Sequence, residues 1–212
     1  KISQENGAEI YEFAERIFPI CRSLTGVGVR TTLEMIRSIG VDLEICSVPS
    51  GQKVFDWEIP DEWNIEDAFI VSPEGEKIVD FKKNNLHVVG YSTPLDEELD
   101  LEKLLEHVHT LPHRPLAVPY VTSYYERRWG FCMTEEQKNN LRPGKYRAVI
   151  KSRLEPGVMN FGEVIIPGRT SEEVLLSTYV CHPSLANNEV SGPAVLAFIA
   201  KWLGESREIP RL

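Results

Sequence analysis

The sequence has no apolar run approaching the roughly 20 residues that a membrane-spanning helix needs, and its first residues lack the basic, apolar and small-residue regions of a secretory signal. It also has no excess of positive charge. Lys and Arg number 23 against 32 Asp and Glu, for a formal charge of −9, and the KK and RR pairs stand isolated. That balance argues against a nucleic-acid surface and against an anchor for anionic membranes. Cys21, Cys46, Cys132 and Cys181 form no CxxC pair, which removes zinc-knuckle and dithiol redox motifs. Their settings, IPICR, LEICS, GFCM and YVCH, are apolar and read as buried thiols of a reducing compartment, with two disulfides as the alternative. The expected location is the cytoplasm. No internal repeat and no low-complexity segment interrupts the 212 residues.

What is present is ample apolar content, 42% of residues, enough for one large domain or two modest ones. The organising stretch is VLLSTYVCHPSLANNEVSGPAVLAFIAKWL, Val174 to Leu203. Its first part reads as an interior strand apolar on both faces, with His182 at the carboxyl end. Its last part reads as a helix with Ser191 as N-cap, Pro193 in the first turn, Val195, Phe198, Ile199 and Trp202 on one stripe, and Gly204 as the stop. Open α/β sheets bind ligands beyond the carboxyl ends of their strands. That rule puts His182, Asn187, Asn188 and Glu189 where a site is expected.

Taken in order, the chain predicts a helix over 8–18 ended by Pro19, a turn at CRSLTGVG, a helix over 29–39 stopped by Gly40, and a strand over 43–48. From Pro49 to about Pro156 short β-prone runs alternate with turn residues. Within them lie a helix from Leu101 to His109, a VPYVTSYY strand, a TEEQKNNL helix and a KYRAVIKSRL strand. The α/β texture resumes with a strand over 161–166. The organisation this implies is discontinuous, with residues 1–50 and 157–212 forming an α/β unit and residues 51–156 a β-rich domain inserted into it. Arg207 to Leu212 reads as a loop leading to another strand. One or two parallel strands cannot cover both faces of such a core, so further strands are expected from more chain or from a partner.

The passage MNFGEVIIPGRTSEEVLLSTYVCHPSLANNEVSGPAVLAFIAKWL resembles the metal-dependent aminopeptidases of the leucyl-aminopeptidase and glutamate-carboxypeptidase type. CRSLTGVGVRTTL, KVFDWEIPDEWNIEDAFI, TSYYERRWGFC and TYVCHPSLANNEVSGP are together similar to bacterial aminopeptidase-like proteins that carry an inserted domain of unknown function and are often encoded beside surface-polysaccharide genes. The resemblance implies an α/β, zinc-exopeptidase-like (phosphorylase/hydrolase-like) three-layer sandwich, incomplete in this chain. It implies one or two zinc ions, with His182 at the histidine-ligand position, Asn188 at the bridging-aspartate position, and Glu189 next to it across a peptide bond that is often cis. The general base and remaining ligands of that family have no counterpart in this chain. Two positions depart from the pattern. Ser184 replaces an aspartate that orients the histidine, and Asn188 is an amide where a bridging carboxylate would offset the repulsion of two cations. One metal is then the more economical expectation.

The same residues have plainer readings. Asn187, Asn188 and Glu189 suit a helix start as well as a site, and His87, His107, His109 and His113 read as structural. A second candidate surface is TSYYERRWGFC, where Tyr124, Tyr125, Arg127, Arg128 and Trp129 suit a carboxylate or a sugar face, with Tyr125, Arg128 and Trp129 as the substrate-binding residues. The alternative there is an aromatic strand of the β-rich module. The leading expectation is a metal-dependent aminopeptidase-like hydrolase acting on a small peptide, aminoacyl or amino-sugar substrate, with no nucleic-acid or membrane partner and with self-association left open. The rivals are a non-catalytic binding or scaffolding protein of surface-polysaccharide biosynthesis, and a metal-dependent amino-sugar deacylase.

Overall fold

The computed structural model describes residues 4–206, with side chains from residue 6; the loop expected at 207–212 lies outside the described residues. Helix α1 (Gln4–Ile17) turns Phe13 and Ile17 into the core, four residues apart on one face. A turn then carries the chain through a buried Arg22 to helix α2 (Val27–Ser38), which buries Val29, Leu33 and Ile36. Gly28 sits against the preceding turn so tightly that a Cβ there would lie 2.0 Å from the Cys21 carbonyl oxygen. Gly40, at φ 91°, ends this segment in a conformation that L side chains rarely adopt. Strand β1 (Glu44–Pro49) and the short pair β2 (Lys53–Val54) and β3 (Trp57–Glu58) follow.

The middle of the chain contributes β4 (Glu62–Val71), β5 (Lys77–Asp80), a 3-10 turn at Asn85–His87, β6 (Leu95–Asp100), α3 (Leu101–Leu105), β7 (Val108–His109), β8 (Phe131–Cys132), α4 (Glu135–Asn139) and β9 (Lys145–Glu155). Strand β10 (Val158–Glu163), a π-helical turn at Ala186–Val190 and helix α5 (Ser191–Glu205) complete the described chain. Packing divides it into two compact units, one made of the chain up to Ile59 together with the chain from Val158 onward, the other of Pro60–Gly157.

The first unit is helical around a small ribbon. Strands β1 and β10 pair antiparallel from Glu44↔Glu163 to Pro49↔Val158. Phe13, Ile17, Ile36, Val41, Val190, Ala194 and Ala197 form the core between α1, α2 and α5, with Phe13 and Phe198 edge to face at 6.0 Å. The second unit is built on an antiparallel sheet in the order β5-β4-β9-β6. Its core includes Trp63, Ile70, Val79, Tyr146 and Ile150. Ser92 knits it together, since its carbonyl accepts from Trp63 Nε1 at 2.9 Å and from Ser152 Oγ at 2.7 Å. Helix α4 begins in a capping box, with Thr134 Oγ1 accepting from Gln137 N and Gln137 Oε1 accepting from Thr134 N.

Several sequence expectations change here. Residues 174–181 form no strand; Val174 is 69% and Leu175 88% exposed. An apolar run becomes a strand only when a neighbour completes its hydrogen-bond ladder, and among the described residues none runs beside it. VPYVTSYY is irregular too, its ladder reduced to a bridge between Gly90 and Thr122. The helix expected over Leu101–His109 stops at Leu105, and His109 enters β7. Ser191 is not an N-cap, because the π turn feeds α5 without a break and Ser191 Oγ instead donates to the Asn187 carbonyl at 2.8 Å. Gly204 does not stop α5, which ends at Glu205. Among the described residues no helix is long and apolar enough to cross a membrane.

Candidate functional site

The site begins with the π turn. Glu189 N reaches the Leu185 carbonyl at 2.7 Å as in an α-turn, but Val190 N reaches that same carbonyl at 3.2 Å and Ser191 N the Ala186 carbonyl, each five residues back and so a wider loop than an α-turn. The extra residue leaves Asn187 and Asn188 exposed while Glu189 is 0% exposed. Glu189 is therefore an inward carboxylate, and its oxygens are committed. Oε1 accepts from the backbone N–H of His182 at 2.8 Å and, in a short contact, from that of Cys181; Oε2 meets His182 Nδ1 at 2.8 Å. A carboxylate only accepts, so Nδ1 carries a proton, and in the neutral imidazole the ring lone pair is on Nε2.

Arg22, 1% exposed, closes the arrangement. Its Nε donates to the His182 carbonyl at 3.1 Å and its Nη1 to the Ile17 carbonyl at 2.6 Å. Burial pulls the guanidinium below its usual pKa, and attraction to Glu189 opposes that pull. The two buried charges offset one another across the loop. Ser184, at φ 40°, donates its hydroxyl to the Phe18 carbonyl at 2.9 Å. Orientation of the histidine thus falls to Glu189, not to the residue at position 184.

Ligand atoms of Cys181, His182 and Glu189 lie within 4.8 Å of one another, a grouping that can hold a cation. As a test of fit to zinc, the set divides. His182 has the form of a zinc ligand backed by a carboxylate, with Nε2 as the ligating nitrogen. Glu189 stands in the orienting place behind it, with both oxygens occupied by N–H donors. Burial, then Glu189, pushes the Cys181 thiol up to about 12, so it is protonated until a cation displaces the proton. Asn188, expected as a bridging ligand, is on the exposed side of the turn, and its bond to Glu189 is trans, as are all described peptide bonds. The structure therefore brings His182 and Glu189 together, adds Cys181 and Arg22, and leaves Asn188 outside. The only sequence signal for Arg22 was an arginine inside an otherwise apolar turn, IPICRSL.

In the second unit Tyr125 is 81% exposed. Arg128 is also exposed and donates to the Thr122 carbonyl at 3.2 Å, while Arg127 pairs with Asp61 at 2.9 Å. Trp129 is half-buried with one face stacked on His107, centroids 3.7 Å apart. Of the three residues expected to bind substrate, Tyr125 is the open one. His107 and His109 are spent elsewhere, the first on Trp129 and the second in β7; His87 Nδ1 lies 2.7 Å from the Cys132 carbonyl.

The site is thus a histidine held by a buried carboxylate at the entry to a helix, on a frame that known proteins share. The backbone superposes over 95% of its length on 58% of a zinc aminopeptidase from Bacillus subtilis, with a TM-score of 0.52 and 11% identity, which is a likeness of fold. The chain belongs to the family described as a domain of unknown function, DUF4910, whose model matches residues 11–210. It is 49% identical over 203 residues to a Clostridium acetobutylicum protein described as a polysaccharide biosynthesis protein with an aminopeptidase-like domain, a match covering 96% of this chain and 46% of that one. It also matches a crystal structure described as a peptidase from the same organism, with a TM-score of 0.93 and 48% identity over 95% of this chain and 48% of that chain. The chain thus spans about half the length of these relatives.

Proposed function

We propose that this chain supplies one histidine ligand, with its support, to a metal-dependent hydrolase of peptide or amide bonds. The observation that carries the reading is His182 Nδ1 against the fully buried Glu189 carboxylate at 2.8 Å, a pairing that fixes ring orientation and raises ligand basicity. Zinc bound there would supply Lewis acidity toward the carbonyl of the scissile amide. Within this chain, Glu189 holds the Nδ1 proton and the backbone of the loop, and His182 offers Nε2. Further ligands and the general base belong to the longer protein, as does the three-layer sandwich whose interior would take in the exposed 174–179 run. One metal is favoured over two, because Asn188 brings no charge and stands on the exposed side of its turn.

A second reading is a binding role in surface-polysaccharide biosynthesis. It is favoured by the two family carboxylates missing here, at Asn188 and Ser184, and by Tyr125 standing open in the β-rich unit. Deacylation of an amino sugar is a variant of the first reading, since it breaks the same bond type.

Elemental analysis of the full-length protein after zinc exposure, beside His182→Ala, separates them. Zinc at one equivalent or more, lost in the variant, supports the hydrolase and directs screening to aminoacyl and N-acyl substrates. No zinc in either protein sinks it and moves the search to carbohydrate ligands of the β-rich unit.

A further inference from the structure

Arg22 is the largest of the fully buried side chains, and a buried guanidinium is costly unless its geometry does something an apolar residue could not. Three observations bear on what that is. Its fork holds two carbonyls at once, Ile17 at the end of α1 and His182 at the other end of the sequence. Its Nη2 is buried and has no hydrogen-bond partner among the described residues, so the fork is placed for those two carbonyls and not for full satisfaction. Its backbone is pinned from behind, since a Cβ on Gly28 of α2 would come within 3.2 Å of Arg22 Cα and collide with the Cys21 carbonyl. An arginine fixed at its base and reaching two carbonyls is a clamp.

We infer that Arg22 is the positioning residue of the His182 loop, tying the end of α1 to the His182 backbone and so holding the imidazole in register with Glu189. The Glu189 carboxylate grips this loop through the N–H groups of Cys181 and His182, and Arg22 grips it through the His182 carbonyl. The peptide leading into the histidine and the one leading out of it are each held by a buried charge of opposite sign. A lysine could keep the charge but, as a point donor, not the planar two-carbonyl fork.

This inference rests on the proposed hydrolase reading for its functional meaning, and its test can fail separately. In the full-length metal-free protein, amide hydrogen exchange and the side-chain nitrogen spectrum of His182 are compared between the parent, Arg22→Met and Arg22→Lys. In both variants exchange at Cys181 and His182 should speed at least about 10-fold more than in the interior of α5, as expected of a local opening, and the Nδ1 proton signature should weaken. Chelator competition should show zinc affinity falling about 10- to 100-fold, the usual effect of losing a group that supports a ligand. If Arg22→Met does not fold, Arg22→Lys decides by the same readouts. Exchange at 181 and 182 rising no more than in α5, with the Nδ1 signature intact, overturns the clamp. If the parent holds no zinc, the hydrolase reading falls while the exchange and nitrogen measurements still decide Arg22.

Discussion

Glu189→Gln is the sharpest perturbation of the site because it keeps the shape of the side chain and removes only charge and one acceptor. The carboxylate receives three N–H groups, from Cys181 N, His182 N and His182 Nδ1, and lies opposite the buried Arg22. A glutamine can keep its oxygen on the two backbone donors, but its NH2 then faces Nδ1, and the ring must move its proton to Nε2 to accept. Arg22 is left as a buried charge without its counterpart. Breaking a buried charge pair by removing one partner costs about 3–5 kcal/mol; with a urea slope of about 2 kcal/mol/M, the lower figure moves the unfolding midpoint down by about 1.5 M. The assay is urea unfolding of the full-length protein followed by circular dichroism, with the nitrogen spectrum of His182 recorded in parallel. A midpoint within about 0.3 M of the parent, or an Nδ1 proton that persists, would refute the assignment of Glu189 as the carboxylate that orients the histidine.

Gly28→Ala should cost about 1–3 kcal/mol, as overpacking does, because its Cβ would lie 2.0 Å from the Cys21 carbonyl oxygen, whereas Gly192→Ala meets the Thr178 Oγ1 tip at 2.3 Å and should cost less because that tip can rotate away; thermal melts of the two variants check the contrast. His109 has its pKa lowered by burial, with Arg128 and His107 adding to the effect. Its neutral form is thus favoured in the folded state, and its contribution is intact above the ordinary histidine pKa of about 6.5 and declines as pH falls through the lowered value. Urea midpoints between pH 7.5 and 5.5 should therefore fall more steeply in the parent than in His109→Gln, and parallel slopes would exclude the effect. Burial pushes the Cys21 and Cys132 thiols up to about 12. Ellman's reagent at pH 8 should therefore react with them slowly in the folded protein and with all four cysteines once guanidinium unfolds it, a result that also requires the four to be free thiols.

The elements that could be read from sequence are those whose signal is local. Apolar spacing marked α1, α2 and α5, KYRAVIKSRL read as the strand that became β9, and TEEQKNNL as the short helix that became α4. His182 and Glu189 could be singled out because a polar loop between apolar runs is conspicuous. Their relation was not legible, because it depends on a π turn that rotates Glu189 inward and Asn188 outward, and no residue pattern distinguishes a π turn from an α-helical start. Nor could sequence place Arg22, 160 positions from His182, on the histidine's own carbonyl. Residues 174–181 show the same division from the other side. Their composition is that of an interior strand, yet a strand exists only as one member of a ladder, and no neighbour for it occurs among the described residues. Sequence alone determined the helices, the apolar faces and the polar loop, through interactions spanning a few residues. Tertiary structure decided which carboxylate holds the histidine and which arginine holds its backbone, because buried charges are placed by whatever distant groups can satisfy them.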